Sequence, residues 1–287
     1  MRGGRSGQDS DRERAGRYWV EQMEMGMAFI RRAYEHPVAE ECEPLVEIRA
    51  AARERGVELL YSETRHPSGQ PRDFRARPDV VAKLLAVATD LRASDHTLLI
   101  EDAFRTYEVQ RDLALSDEVI AKVTAVILAA EPEAPLDLII DRLSVVVQTR
   151  PRGAGHMAGA ALDVSVLDSS GSPLDRGGPY ITVSELMPMD SPFASAAAAS
   201  NRRFVSAAME RHGFKAYPFE FWHYSADDVF ARLIAGDPRP ARYGPVRVDA
   251  DGSVSPIVGQ LEPMQSRADL EGLLTAFLAR QQHPGAG

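Results

Sequence analysis

The sequence predicts an α+β fold: a small, mainly antiparallel sheet with helices packed on one side. Three observations predict it. Helix-like stretches recur through the chain, at 44–56, 78–91, 107–130, 201–212 and 266–281, with apolar residues three and four apart in the clearest of them. Between them stand only a few short strand-like segments, at 57–61, 97–100, 145–147, 161–167 and 219–224. Two of these segments carry ionisable residues that one site must share, so 161–167 and 219–225 are expected to be sheet neighbours.

The elements follow in order. Residues 1–15 are polar and charged and are expected to be a disordered tail. Residues 16–35 have helical composition and stop at Pro37. Leu45, Ile48 and Ala52 share a helix face, with Gly56 as its stop. Pro67, Gly69, Pro71 and several arginines make 62–77 a loop. Pro78 opens a helix through about Leu91, with Val81, Leu84, Leu85 and Ala88 on one face. Helices at 107–115 and 117–130 precede a strand containing Val145, Val146 and Val147. In 161–167, Asp163 and Ser165 face one way, and Leu162, Val164 and Val166 the other. A long Gly- and Pro-rich connection, 168–200, has the length of a functional loop. The helix at 201–212 ends at Gly213, residues 236–256 wrap the surface, and Ser266 caps the last helix. The chain divides into the tail, one domain over 16–245 with an added N-terminal helical region at 16–77, and a C-terminal extension at 246–287.

Composition narrows the function. A net charge of −9 on 287 residues excludes a nucleic-acid partner, which needs a basic surface. One cysteine, Cys42, rules out an intrachain disulfide and a cysteine-based zinc site, and it suits a reducing compartment. No run approaches the roughly 20 apolar residues of a membrane span, and none resembles a signal peptide. A cytoplasmic protein with no membrane partner is expected.

Two segments carry the chemistry. One is Gly155-His156-Met157-Ala158-Gly159-Ala160-Ala161-Leu162-Asp163, and the other is Glu220-Phe221-Trp222-His223. Two histidines and a carboxylate are a common catalytic zinc set, because they leave a coordination position for water. A further carboxylate is what a hydrolase needs to handle that water's proton. The pattern points to a metal-dependent hydrolase. Gly159 suits a tight turn between His156 and the strand bearing Asp163. In a straight strand Glu220 and His223 would face opposite ways. Either a bulge separates them, or Glu220 sits at a bend where the strand starts.

The spacings His156-x2-Gly159-x-Ala161-x-Asp163 and Glu220-x-Trp222-His223 resemble the zinc motifs of D-alanyl-D-alanine dipeptidases. That family belongs to a wider group of zinc D,D-peptidases that is similar to the hedgehog signalling domain. Glu101-Asp102-Ala103-Phe104-Arg105 resembles its Asp-Gly/Ala-Tyr-Arg-Pro segment, and Met189-Asp190-Ser191-Pro192-Phe193 its Met-Gly-x-x-Phe-Asp loop. The helix from Asn201 through Met209 and the following His212-Gly213-Phe214 resemble the family's approach to the second motif. The resemblance covers roughly 78–245.

It implies one zinc ion per chain on His156, Asp163 and His223, Glu220 as general base and then acid, and Arg105 stabilising the developing oxyanion. It also implies cleavage of D-Ala-D-Ala, a cell-wall dipeptide, or of a related D-configured peptide. The alternative is a metal-dependent biosynthetic enzyme or binding protein using the same fold on a non-dipeptide substrate. An intact Glu220 favours an enzyme. The chain departs from the family at Ala154 (usually Ser or Thr), Thr106 (proline), Asp190 (glycine) and Ala194 (aspartate). Ala154 removes a hydroxyl that could hold substrate, and Asp190 would add charge near the pocket. Ala154, Trp222 and Ser191 are the candidate substrate contacts, with Trp222 also expected to pack beneath the site. Asp102 and Gln110 are expected to be structural, and so, or merely exposed, are His36, His66, His96, His212 and His283. Arg65, Arg72, Arg75 and Arg77 are expected on a solvated surface.

Overall fold

Helix α1 (Arg5–Glu35) opens the computed structural model, which describes residues 5–282; residues 1–4 and 283–287, His283 among them, lie outside it. The expected disordered tail is thus helical from Arg5 onward. Arg12, Glu13 and Arg14 are straight-chain residues that lose little freedom in a helix. Strand β1 (Val46–Glu47) leads into α2 (Ile48–Glu54), and Glu47 caps it by accepting from Ala50 N at 2.7 Å. Strands β2 (Leu60–Tyr61) and β3 (Arg75–Ala76) flank the predicted loop. Helix α3 (Pro78–Arg92) buries Val81, Leu84, Leu85 and Ala88 as their spacing predicts.

After β4 (Thr97–Asp102), Thr106 caps α4 (Tyr107–Ala114), its Oγ1 accepting from Val109 N at 3.3 Å. The departure from proline at this position therefore keeps a helix start. Ser116 caps α5 (Asp117–Ala130). Helix α6 (Leu136–Val146) takes in Val145 and Val146, where a strand was expected. Three consecutive valines favour a strand locally, but Ile139, Leu143 and Val145 are buried against neighbouring helices, and that packing overrides propensity.

Strand β5 (Ala161–Leu167) is followed by the long connection. Helix α7 (Ala196–Arg211) starts earlier than expected, because Ser195 caps it at Ala198 N (3.0 Å) and alanine is the best helix former. Then come β6 (Lys215–Ala216), β7 (His223–Ser225) and α8 (Val229–Ile234). Strands β8 (Val246–Val248) and β9 (Val254–Pro256) form a hairpin inside the segment expected only to wrap the surface. Helix α9 (Arg267–Gln282) closes the described chain. No helix among the described residues is long and apolar enough to cross a membrane.

The main sheet has the order β2-β4-β5-β7-β6. Only β2–β4 is parallel; the other three pairings are antiparallel. The predicted small, mainly antiparallel sheet is present, and β5 and β7 are neighbours. Leu162, Val164 and Val166 on one face of β5 join a core with α3 and α7. That packing leaves Asp163 and Ser165 on the other face.

The arginines expected on the surface divide. Arg77 is fully buried, donating to Ala158 O at 2.7 Å and pairing with Glu40 at 3.0 Å. The Arg72 side chain is buried against Asp102 at 3.3 Å. Their partners lie far away in sequence, so no local pattern marks these two as buried. Arg65 stays exposed, and Arg75 pairs with Asp73 at the half-buried edge.

Gly159 has φ +65° and ends the 3₁₀ turn Gly155–Ala158. A Cβ there would lie 2.5 Å from Leu45 Cδ2. Gly159→Ala is expected to destabilise the fold by about 1–3 kcal/mol. Urea unfolding checks this, and an unchanged midpoint would contradict it.

Candidate metal centre

Asp163 lies opposite His223 in the β5–β7 register, so the pairing brings their side chains together. His156 arrives from the 3₁₀ turn just before β5. One ligand-type atom from each of the three lies within 4.8 Å of the others, and all three residues are buried. His156 Nε2 is 3.3 Å from Asp163 Oδ1, and His223 Nδ1 is 3.0 Å from the same oxygen.

The other ring nitrogens are held. His156 Nδ1 meets the Ala103 carbonyl at 2.6 Å, which makes it the donor. The lone pair of Nε2 then faces the centre, and this atom is buried without a hydrogen-bond partner among the described residues. His223 Nε2 lies 3.3 Å from Ser225 Oγ, which leaves Nδ1 for the centre. An unpartnered buried nitrogen costs about 1–3 kcal/mol, and a divalent cation would remove that cost. Two imidazoles with their outer nitrogens fixed, plus one carboxylate, fit zinc in donor type and outer support.

Charge is concentrated around Asp163. Burial alone would raise its pKa, but positive charge at His156 and His223, when their imidazoles are protonated, outweighs burial and holds it well below the usual carboxylate range. A cation held between them would do the same. For His223, burial lowers the pKa and Asp163 only partly opposes it. The second oxygen of Asp163 accepts from Tyr180 Oη at 2.9 Å and from Arg105 Nη2 at 3.3 Å. Arg105 also donates from Nε to Asp102 at 2.8 Å and from Nη1 to Gln110 at 3.3 Å. Asp102, 1% exposed, lies 3.5 Å from His66 Nε2 and 3.3 Å from Arg72 as well. Its pKa is depressed: burial pushes it up, and Arg105 and His66 pull it further down.

Glu220 occupies the bend. Strand β7 begins at His223, and Glu220 sits in the preceding turn, with Oε2 3.9 Å from His223 Nδ1. Of the two geometries the sequence left open, the chain uses a bend at the strand start. Burial raises the Glu220 pKa well above normal, Asp163 adds to this, and Arg105 opposes it. A cation among the ligands would draw it back down.

His156, Asp163, His223, Glu220, Arg105, Ala154 and Trp222 line one cavity. Trp222 is also buried, edge-on to Phe221 and Tyr180, so it packs and lines at once. Ser191 does not line this cavity; its hydroxyl donates to Glu185 O at 2.7 Å and accepts from Phe193 N. Ser191 and Asp190 belong to a separate cleft beside Arg202 and Arg203, and Asp190 is exposed. The expected charge near the pocket is therefore absent at Asp190. Its loop is fixed from the far side, where Arg202 donates to the Pro188 and Met189 carbonyls. Sequence reasoning missed Tyr180. The length of its loop was a signal, but one tyrosine in a Gly-rich stretch has no spacing to identify it. His66, expected to be structural or merely exposed, is buried against Asp102 at the cavity wall.

Two outcomes are expected here. Tyr180→Phe should weaken zinc binding roughly 10–100-fold, as loss of an outer support does; a chelator competition assay reads this. Asp102→Asn should cost about 3–5 kcal/mol at pH 7, because it leaves buried cations unpaired. The folded pKa of Asp102 lies below its unfolded value of about 3.9. Its stabilisation is thus fully present above about pH 4 and fades as pH falls toward the folded value. Urea midpoints should show the gap between wild type and variant closing only in acid.

The chain is similar to several known proteins. A family profile described as D-Ala-D-Ala dipeptidase, peptidase M15, matches residues 72–235. A D-alanyl-D-alanine dipeptidase of Synechocystis sp. is 27% identical over 152 residues, 46% of this chain and 60% of that protein. The chain thus spans less than two thirds of that relative. A D-alanyl-D-alanine dipeptidase of Escherichia coli K12 is 23% identical over 197 residues, 67% of this chain and 90% of the other. Among solved structures, LdcB LD-carboxypeptidase is 15% identical with a TM-score of 0.36, covering 72% of this chain and 79% of its own. The vancomycin resistance D,D-pentapeptidase VanY, solved with Zn(II), is 16% identical with a TM-score of 0.35, covering 71% and 94%.

Proposed function

The chain belongs to the D-Ala-D-Ala dipeptidase family, peptidase M15, and on that premise we propose that it is a zinc-dependent peptidase acting on a small D-configured peptide of the D-Ala-D-Ala class. The observation that carries this reading is convergence. Three ligand-type groups, a separate carboxylate and a guanidinium line one buried cavity. A structural metal site has no use for the separate carboxylate.

His156, Asp163 and His223 would hold the zinc, whose Lewis acidity lowers the pKa of water toward roughly 7. Glu220 takes the proton that water gives up as its oxygen joins the scissile carbonyl carbon. The same carboxyl then passes that proton to the amine nitrogen as the C–N bond breaks. With a cation on the three ligands the Glu220 carboxyl is drawn down from its burial-raised pKa, so it can be ionised when it takes the proton and still sit in a site dry enough to hand it on. Arg105 donates to the carbonyl oxygen as negative charge gathers there. Asp102 and Gln110 fix the direction of the guanidinium before substrate arrives.

The test is a hydrolysis screen of D,D-, L,D- and L,L-dipeptides with zinc-loaded protein. Cleavage of a D,D-dipeptide, abolished by chelator and restored by zinc, is the expected result. Failure of every dipeptide would overturn the reading. Glu220→Ala is expected to keep its zinc and lose roughly 10²–10⁴ in turnover. Zinc content falling in step with activity would make Glu220 a ligand instead.

A further inference from the structure

The cavity does not end at the metal centre. Beyond Arg105 and Glu220 it continues between helices α4, α5 and α6. Its walls there are Leu113, Val119, Val123, Val145, Val147 and Val183, none with a polar side-chain atom. All but Val183 are below a tenth exposed. The charges at this end are Glu118 and Lys122, which satisfy each other at 2.7 Å on the outer turn of α5. One end of the cavity is thus crowded with hydrogen-bonding groups, and the other is walled mainly by apolar side chains, with the Glu118–Lys122 pair at its rim and Gln148 next to Val147. Two alanine methyls would leave the second end to water, an unfavourable filling for an apolar wall. The cavity volume is about 80 Å³ with the metal end included, so the arm, as one part of it, is narrow. That narrowness suits a slender chain and rejects a ring.

We propose that this apolar arm receives an unbranched aliphatic side chain of the substrate, so that the preferred substrate is a D,D-dipeptide with one long aliphatic residue. The proposal rests on the peptidase reading above. Val123 and Val145 face the arm from α5 and α6 and set its width. Gly26 on α1 fixes Val145 from behind, since a Cβ at Gly26 would lie 2.4 Å from Val145 Cγ1.

The experiment measures kcat/KM with zinc-loaded full-length protein. The substrates are D-Ala-D-Ala, D-Ala-D-norvaline, D-Ala-D-norleucine, the reversed D-norleucine-D-Ala, and D-Ala-D-Phe. One of the two orders should gain roughly fourfold per added methylene, and the phenylalanine peptide should gain nothing. Val123→Phe, or Val123→Leu if the larger residue prevents folding, should cut the norleucine-to-alanine ratio tenfold or more. A series that is flat or best with D-Ala-D-Ala would overturn the arm and leave its valines as packing alone. If no dipeptide is cleaved, the peptidase reading fails separately. Calorimetric binding of the same series then decides the arm: affinity rising with each methylene supports it, and equal affinities overturn it.

Discussion

A carboxylate taken out of water has to be neutralised, and much of this molecule follows from that requirement at Asp163. Two imidazoles, a guanidinium and a phenol converge on its two oxygens. They come from the turn before β5, from β7, from the segment after β4 and from the long connection. Four separate stretches are tied together by one charge. The β5–β7 register then becomes strict. A slip by one residue would send the His223 side chain to the apolar face and put Asp163 opposite the wrong neighbour.

Asp102 repeats the arrangement one step outward. It is buried, and it is met by His66, Arg72 and Arg105. Arg105 bridges the two carboxylates, so the guanidinium that faces the cavity is also the link between the two charge clusters. Few rotamers could satisfy both partners at once. The cost of orienting this side chain is met on folding, before any ligand binds.

The convergence of His156, Asp163 and His223 could be read from the sequence because two short motifs put rare residue types at fixed spacings. The helices with clean apolar faces, such as α3, were legible for a similar reason. What escaped was decided at a distance. Val145 is helical because α1 and α5 pack on its helix. Arg72 and Arg77 are buried because Asp102 and Glu40 wait for them. Tyr180 matters because a glycine-rich chain happens to return over Asp163. Glu220 was half legible: the strand period ruled out a straight path, but only the fold could choose the bend.

Helix α1 lies entirely before the stretch that matches the family. Even so, its Trp19, Met23, Met27 and Ile30 are packed with Tyr217, Trp222 and Phe230, which back the second motif. Burying such side chains is worth about 1.5–3 kcal/mol each, and whole domains are stable by only about 5–15 kcal/mol. Four of them therefore amount to a large part of what keeps the chain folded. This helix is a foundation rather than an ornament. A family boundary drawn from resemblance alone would cut through the floor of the site.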